Sequence, residues 1–292
     1  MKVSLAAALA AALVLTAGAA NADPDWAKVA QALGKAGAMQ PGGVYKVSLP
    51  RSDLRVTLDG IALKPGFALG GWLAFEPMGD QAMVMGDLVL TEAEANPVMA
   101  RLQAGGIEVT ALHNHLLRSA PMTLYLHVEG RGDALKLAEA LHAGLALSKT
   151  PFGGGAPPAA AAPSGLDVAA IDQALGAKGK LNGAVLQYAI ARKEPIHDGD
   201  APVPPAMGTA ISINVQPAGP GVAAITGDFV LLASEVNPVV KALHAHGIEV
   251  TALHSHMLND QPRLFFLHFW GHGPAKSLAA GLAAALARTN RA

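Results

Sequence analysis

Hydrophobic and polar positions along this chain change period several times. Trp26, Val29 and Leu33 sit at i, i+3 and i+7, a helical stripe that Val168, Ile171 and Leu175 repeat. Asp25 and Asp167 are the expected N-caps, and Gly34 and Gly176 the expected stops. Short apolar runs follow and predict strands at 44–49, 54–58 and 72–75, then at 185–191 and 210–215. Longer runs predict strands at 83–90 and 224–232. Asn96-Pro97 and Asn237-Pro238 read as helix starts, since Asn caps and Pro suits the first helical position. Thr91-x-x-Glu94 resembles a capping box, but a start there would put Pro97 inside the helix. Gly106 and Gly247 end that helix. Strands at 107–116 and 248–257 pair with strands at 122–128 and 263–269, and leucines 137, 141 and 145, matched by 278, 282 and 286, form the buried face of a last helix.

These elements recur because the chain repeats itself. Residues 86–130 return as residues 227–271 at a constant offset of 141, with 24 identities over 45 positions. The expected fold class is α+β: two tandem homologous β-α-β-β-α domains, each an antiparallel sheet with helices on one face and some ferredoxin-like character, related by a pseudo-twofold axis. The expected division is a signal peptide at 1–22, repeat domain 1 at 23–150, a Pro/Gly/Ala linker at 151–165 and repeat domain 2 at 166–292.

Composition narrows the setting. The first 22 residues offer Lys2, an apolar run at 3–15 and small residues Ala20-Asn21-Ala22 before Asp23, the pattern of a cleaved secretory leader. The expected location is therefore periplasmic or secreted, with no membrane span in the mature chain. The chain has no Cys, so disulfides, thiolate ligands and a lipid-anchor Cys are excluded. Losing Lys2 leaves 20 Lys+Arg against 22 Asp+Glu, a net of −2, which gives no sign of a nucleic-acid surface.

Candidate chemistry rests on histidine. His113, His115 and His127 recur as His254, His256 and His268, six of the chain's 11 histidines. Alternation along a strand puts His113 and His115 on one face, with Val109 and Ala111, while Thr110 points away. A hairpin centred on Ala120 sets His113 opposite His127, about 4.5–5.5 Å apart at Cβ. Three neutral imidazoles then converge on one ion, with a fourth position open. The local pattern resembles the three-His zinc site of carbonic anhydrase. Zinc is the first expectation, although imidazole also takes Cu, Ni or Fe. Two histidines on a strand can equally be half-buried and hydrogen-bonded without a ligand. His113-Asn114-His115 spells a nuclease motif, but the second copy reads His-Ser-His in a regular strand.

Other polar residues also recur. Glu94 and Glu235 are either cap carboxylates or proton-handling catalytic groups beside the histidines. Asp87 and Asp228 follow a Gly and read as bulge carboxylates. Glu108 and Glu249 fall on the face opposite the histidines. Arg51-x-Asp53 and Arg192-x-Glu194 read as surface ion pairs, with anion binding the sharper alternative. His142, His197, His244, His246 and His272 have no counterpart in the other half and read as solvated. No Gly-rich phosphate loop, nucleophile elbow or Rossmann signature is present.

The motifs GDFVL, EVNPV, GIEVTALHSHM and PRLFFLHFW, with RKEPIHDG upstream, resemble the LppY/LpqO family of bacterial secreted proteins. GDLVL, EANPV, GIEVTALHNHL and PRSDL are weaker versions in the first half. The resemblance spans about residues 25–286 and implies a domain of unknown function, so it supplies no mechanism. The family takes its name from lipoproteins, and this chain has no Cys to acylate.

The functional expectation is a secreted metal-binding protein with three-His sites, extending to a metal-dependent hydrolase or lyase. The alternatives are a non-catalytic envelope binding or metal-carrier protein, and a structural protein without a ligand. A small molecule or a metal is the expected partner. An open, substrate-sized cleft favours the enzyme; a closed site favours carriage. Since ligand imidazoles must be neutral, metal release is expected as pH falls through about 6–5.

Overall fold

The computed structural model describes residues 23–153, 163 and 165–292; the expected leader and most of the expected linker lie outside them. The first half contains α1 (Trp26–Leu33), β1 (Ala38–Met39), β2 (Tyr45–Pro50), β3 (Gly70–Met78), β4 (Gln81–Thr91), α2 (Glu92–Ala104), β5 (Glu108–His113), β6 (Thr123–Gly132) and α3 (Ala134–Leu145). The second half repeats the order with α4 (Val168–Leu175), β7 (Lys180–Asn182), β8 (Val185–Ile190), β9 (Ile211–Gly219), β10 (Val222–Leu232), α5 (Ala233–Ala245), β11 (Glu249–His254), β12 (Leu264–Pro274) and α6 (Ala275–Leu286). Each half forms a six-stranded antiparallel sheet, ordered β1-β2-β3-β4-β6-β5 and β7-β8-β9-β10-β12-β11. Among the described residues no helix is long and apolar enough to cross a membrane.

Strand alternation divides each sheet's side chains between two partners. In β4, Ala82, Val84, Leu88 and Leu90 pack with Val98 and Leu102 of α2 and Leu137 and Leu141 of α3. Met83 and Met85 point the other way and share a core with Ile213, Val215 and Phe266 of the second half. Val89 and Tyr125 likewise pack with Ala224 and Trp270. The two sheets therefore stack face to face, with helices covering their outer faces. That is why β4 is buried at nine consecutive positions from Ala82 to Leu90. A sheet covered on both faces needs apolar side chains on both, so its strands lose their polar alternation.

Polar contacts also join the halves. Trp270 donates its indole N–H to Asp59 at 3.0 Å. Gln216 donates to the Ala62 carbonyl at 2.9 Å and accepts from the Lys64 N–H at 2.9 Å. Arg118 reaches both Asp59 and Glu249, the latter at 2.8 Å.

Several details differ from the sequence expectation. Helix α2 begins at Glu92 and carries Pro97 inside it. Pro97 cannot donate to the carbonyl of Ala93. The start holds because the Glu94 carboxylate accepts from the Thr91 N–H at 2.8 Å. In α5, Glu235 accepts from the Leu232 N–H at 2.8 Å, again with a proline inside the helix. Asp25 and Asp167 do cap their helices, and Gly106 and Gly247 do take positive φ at the helix ends.

Arg51 and Arg192 are not surface groups; they are 0% and 7% exposed. Arg51 donates to Glu94 at 2.7 Å, to Asp53 at 2.9 Å and to the Val89 carbonyl at 2.8 Å. Glu94 also accepts from the Lys149 N–H at 2.8 Å. Arg192, Glu235, Glu194, Val230 and Asn290 repeat this network. Each network ties a strand end to a helix start and to the segment after the last helix.

Replacing Arg51 by Met strips a buried carboxylate of its cation. Breaking a buried pair from one side costs about 3–5 kcal/mol. The urea midpoint of Arg51→Met, and of Arg192→Met, is expected to fall accordingly. A loss under about 1 kcal/mol, the range of exposed pairs, would contradict the buried network.

Candidate metal centre

The six repeated histidines meet in one place, where the two sheets face each other. β5 and β11 end at His113 and His254, so His115 and His256 lie just beyond the strands, in the turns that follow. The expected pairing of His113 with His127 does not occur. Ala111 sits opposite His127, and His113 opposite Tyr125, a shift of two residues. A bulge between Val109 and Ala111 also breaks the alternation. Its counterpart in β11 turns Thr251 toward the other half, where its hydroxyl donates to the His115 carbonyl at 2.5 Å. That contact holds the His115 turn against the second repeat.

The rings form two layers. In the first, the His113 ring centre lies 5.0 Å from that of His115 and 5.0 Å from that of His127. In the second, the His254 ring centre lies 4.8 Å from that of His256 and 4.9 Å from that of His268. The layers meet ring on ring: His115 stacks on His268 and His127 on His256, each at 3.7 Å, while His113 meets His254 at 3.5 Å with the rings tilted by 33°. The pseudo-twofold axis passes between His113 and His254. Tyr125 closes one end of this stack against His115 at 3.3 Å, and Phe266 the other against His256 at 3.5 Å.

Two carboxylates complete the centre, and neither is at a bulge. Asp87 pairs with His127 and Asp228 with His268 in regular ladder register. The preceding Gly86 serves packing, since a Cβ there would sit 2.6 Å from Leu73. Asp87 lies 4.0 Å from His115 Nε2 and 3.9 Å from His127 Nε2. Asp228 lies 3.7 Å from His256 Nε2 and 4.0 Å from His268 Nδ1. Their signal in the sequence was a charged residue within an otherwise apolar strand, repeated at the same offset.

Glu94 and Glu235, read from sequence as cap carboxylates or as proton-handling groups, do cap their helices and are held in the arginine networks. Burial pushes the Glu94 carboxyl up, but the Arg51 guanidinium and two backbone N–H groups outweigh it and hold it below its ordinary value. Glu249 pairs with Arg118. His142 is not solvated: its Nδ1 bonds the Leu33 carbonyl at 2.8 Å and its ring packs on Phe152.

Donor geometry suits a metal ion. The ligand atoms of His113, His115 and His127 lie within 4.8 Å of one another, as do those of His113, His254, His256 and His268. Bonds of about 2.0–2.1 Å set the ring centres of three imidazoles on one ion roughly 5–5.5 Å apart; His113 keeps that spacing to His115 and His127, and His254 nearly so to His256 and His268, while the His256 and His268 centres lie 6.3 Å apart. The Nδ1 of His113 faces the Asn114 carbonyl at 3.3 Å and that of His268 the Gly227 carbonyl at 2.9 Å, which leaves Nε2 unprotonated on the inner side. Nε2 of His113, His115, His127 and His268, Nδ1 of His254, and one oxygen each of Asp87 and Asp228 are buried without a hydrogen-bond partner.

Burial makes these groups resist charge. It holds His113 down to about 4 and His268, with His113 adding to the effect, to about 3; His115, His127, His254 and His256 are lowered too. Burial pushes Asp87 up to about 7, with the Lys46 ammonium opposing, and Asp228 well above its ordinary value. A bound cation would reverse the pressure on the carboxylates and suits neutral imidazoles. The adjoining cavity, lined by Trp72, His127, Met207, His256 and Phe266, holds about 10 Å³, room for one water.

A family model described as Domain of Unknown Function (DUF1259) matches residues 27–147 and again residues 169–288. The chain belongs to the DUF1259 family. No curated protein matches its sequence. Two crystal structures of other proteins match weakly. One is the trimeric bacterial microcompartment shell protein PduB, at 13% identity and a TM-score of 0.19, covering 85% of this chain and 88% of that one. The other is EtuB from Clostridium kluyveri, at 10% identity and a TM-score of 0.20, covering 86% and 90%. Similarity at that level bears on neither fold nor assembly. Each DUF1259 match contains one complete histidine trio and the aspartate beside it, Asp87 or Asp228.

Imidazoles held below 6.5 refuse protons that the unfolded chain accepts. Metal-free stability should therefore rise with pH between about 4 and 6.5. Asp87 works in the opposite sense, because its folded value lies above its unfolded one, but six imidazoles outnumber two carboxylates. The urea midpoint of chelator-treated protein is expected to climb across that window. A flat profile would mean that the rings are solvated. A metal bound by these imidazoles would be released at lower pH than the window of 6–5 expected from free imidazole.

Proposed function

We propose that this DUF1259 protein is a divalent-metal-binding protein in which both halves of the chain build one shared centre. The observation that carries this reading is the set of buried, unpartnered Nε2 atoms of His113, His115, His127 and His268 beside Asp87 and Asp228. Leaving a buried polar atom unpartnered costs about 1–3 kcal/mol, and bound metal would relieve that cost at the nitrogens and carboxylates it ligates. Imidazole with carboxylate suits zinc, and also copper, nickel or iron.

The neighbouring cavity has room for about one water, which favours carriage or storage of metal over hydrolysis of a bulky substrate. A hydrolase or lyase acting on a small substrate is the second reading. His113 and His254 are the partly exposed members of the centre's axis and offer the entry side. Proton handling in that case falls to Asp87 or Asp228, since Glu94 and Glu235 would have to give up Arg51 and Arg192. The leader pattern at 1–22 and the likeness to LppY/LpqO secreted proteins support action in the periplasm or outside the cell.

Elemental analysis of protein purified without an affinity tag tests the reading. Bound first-row metal is expected. Ligand at 100 times its dissociation constant adds about 2.7 kcal/mol of stability, so metal should raise the melting temperature of chelator-treated protein. Replacing both His113 and His254 by Ala should abolish the rise. Failure of Zn, Cu, Ni, Co, Fe and Mn ions alike to bind or to shift melting would overturn it.

A further inference from the structure

We propose that the centre is binuclear, with one ion in each histidine layer. This deepens the metal-binding reading above and rests on it. Symmetry gives the first argument. The axis runs between His113 and His254, so an ion within one trio has an equivalent position within the other. Each layer has its own carboxylate: Asp87 beside His115 and His127, and Asp228 beside His256 and His268.

Donor number gives the second. Six imidazoles and two carboxylates exceed the four ligands of a tetrahedral ion and divide evenly into two sets of three nitrogens and one oxygen. A single ion in one layer would leave the other trio's buried nitrogens without partners, as Nε2 of His115 and His127 and of His268 are in this structure.

Spacing gives the third. The facing ring centres lie 3.5–3.7 Å apart from layer to layer. Two-metal sites hold their ions about 3.5–4 Å apart. Ions lying in the ring planes therefore acquire that separation from the stacking alone. His113 belongs to both donor groups, so the two ions sit in one chamber and not in two remote sites.

Metal-free mature protein titrated with Zn²⁺, with bound metal counted after gel filtration, should saturate at two ions per chain. Protein loaded with Cu²⁺ should give the half-field paramagnetic resonance of two coupled ions, a readout that needs no variant. His127→Ala with Asp87→Asn should retain one ion and lose the half-field signal, and His268→Ala with Asp228→Asn should do the same from the other side. Saturation at one ion with an isolated Cu²⁺ spectrum would overturn the binuclear centre and leave the metal-binding reading standing. No bound ion at all would remove both.

Discussion

A sheet covered on both faces has no water to offer its polar side chains, and that constraint governs this molecule. Helices cover one face of each sheet, and the other face is covered by the second copy of the same sheet. Every polar group placed there must find its partner within the sandwich. Duplication about an axis brings each residue near the axis onto its own copy, the logic of an isologous dimer joined in one chain. Three histidines in one repeat thereby become six in one chamber, and His113 meets His254 because both lie at the axis.

The arginine networks make this stacking sustainable. Arg51 and Arg192 bind the carbonyls of Val89 and Val230, near the ends of the strands that carry Asp87 and Asp228. The same guanidinium groups hold Glu94 and Glu235, which fix the helix starts despite a proline in each helix. Strand, helix and chain end are thus pinned on one side of each sheet, and the aspartate two residues before the pinned carbonyl is held against the histidines. The carboxylates that looked catalytic from sequence are the ones that position the carboxylates facing the rings.

Much of this was legible in the chain. The repeat, the caps at Asp25 and Asp167, the helix ends at Gly106 and Gly247 and most strands follow from local rules that the structure obeys. What local rules miss is which face meets what. The run from Met83 to Leu90 shows no alternation because both of its faces are buried, so Asp87 looked like an irregularity when it is a regular inward position. Arg51 looked exposed because its partner Glu94 lies 43 residues away. The bulge near Thr110 and the early end of β5 took His115 off the strand, yet its ring joined the trio because Thr251 of the other repeat holds its turn. The approach of one half to the other leaves no trace within either half alone.

A ligand-free explanation of the histidines has to survive the same constraint. Aromatic pairing contributes about 0.5–1.5 kcal/mol per pair beyond area burial, and two stacked pairs and one tilted pair join the layers. Stacking satisfies ring faces, however, and leaves ring nitrogens as they were. Among the six rings, His254 and His256 face each other nitrogen to nitrogen at 2.8 Å, so one can donate to the other. The inner nitrogens of His113, His115, His127 and His268 have no such neighbour, and each unpartnered buried atom costs about 1–3 kcal/mol. Those costs match or exceed what the stacked pairs contribute, before the two aspartates are counted. Packing alone leaves these nitrogens without partners, whereas cations within the layers would satisfy the nitrogens and the carboxylates at once.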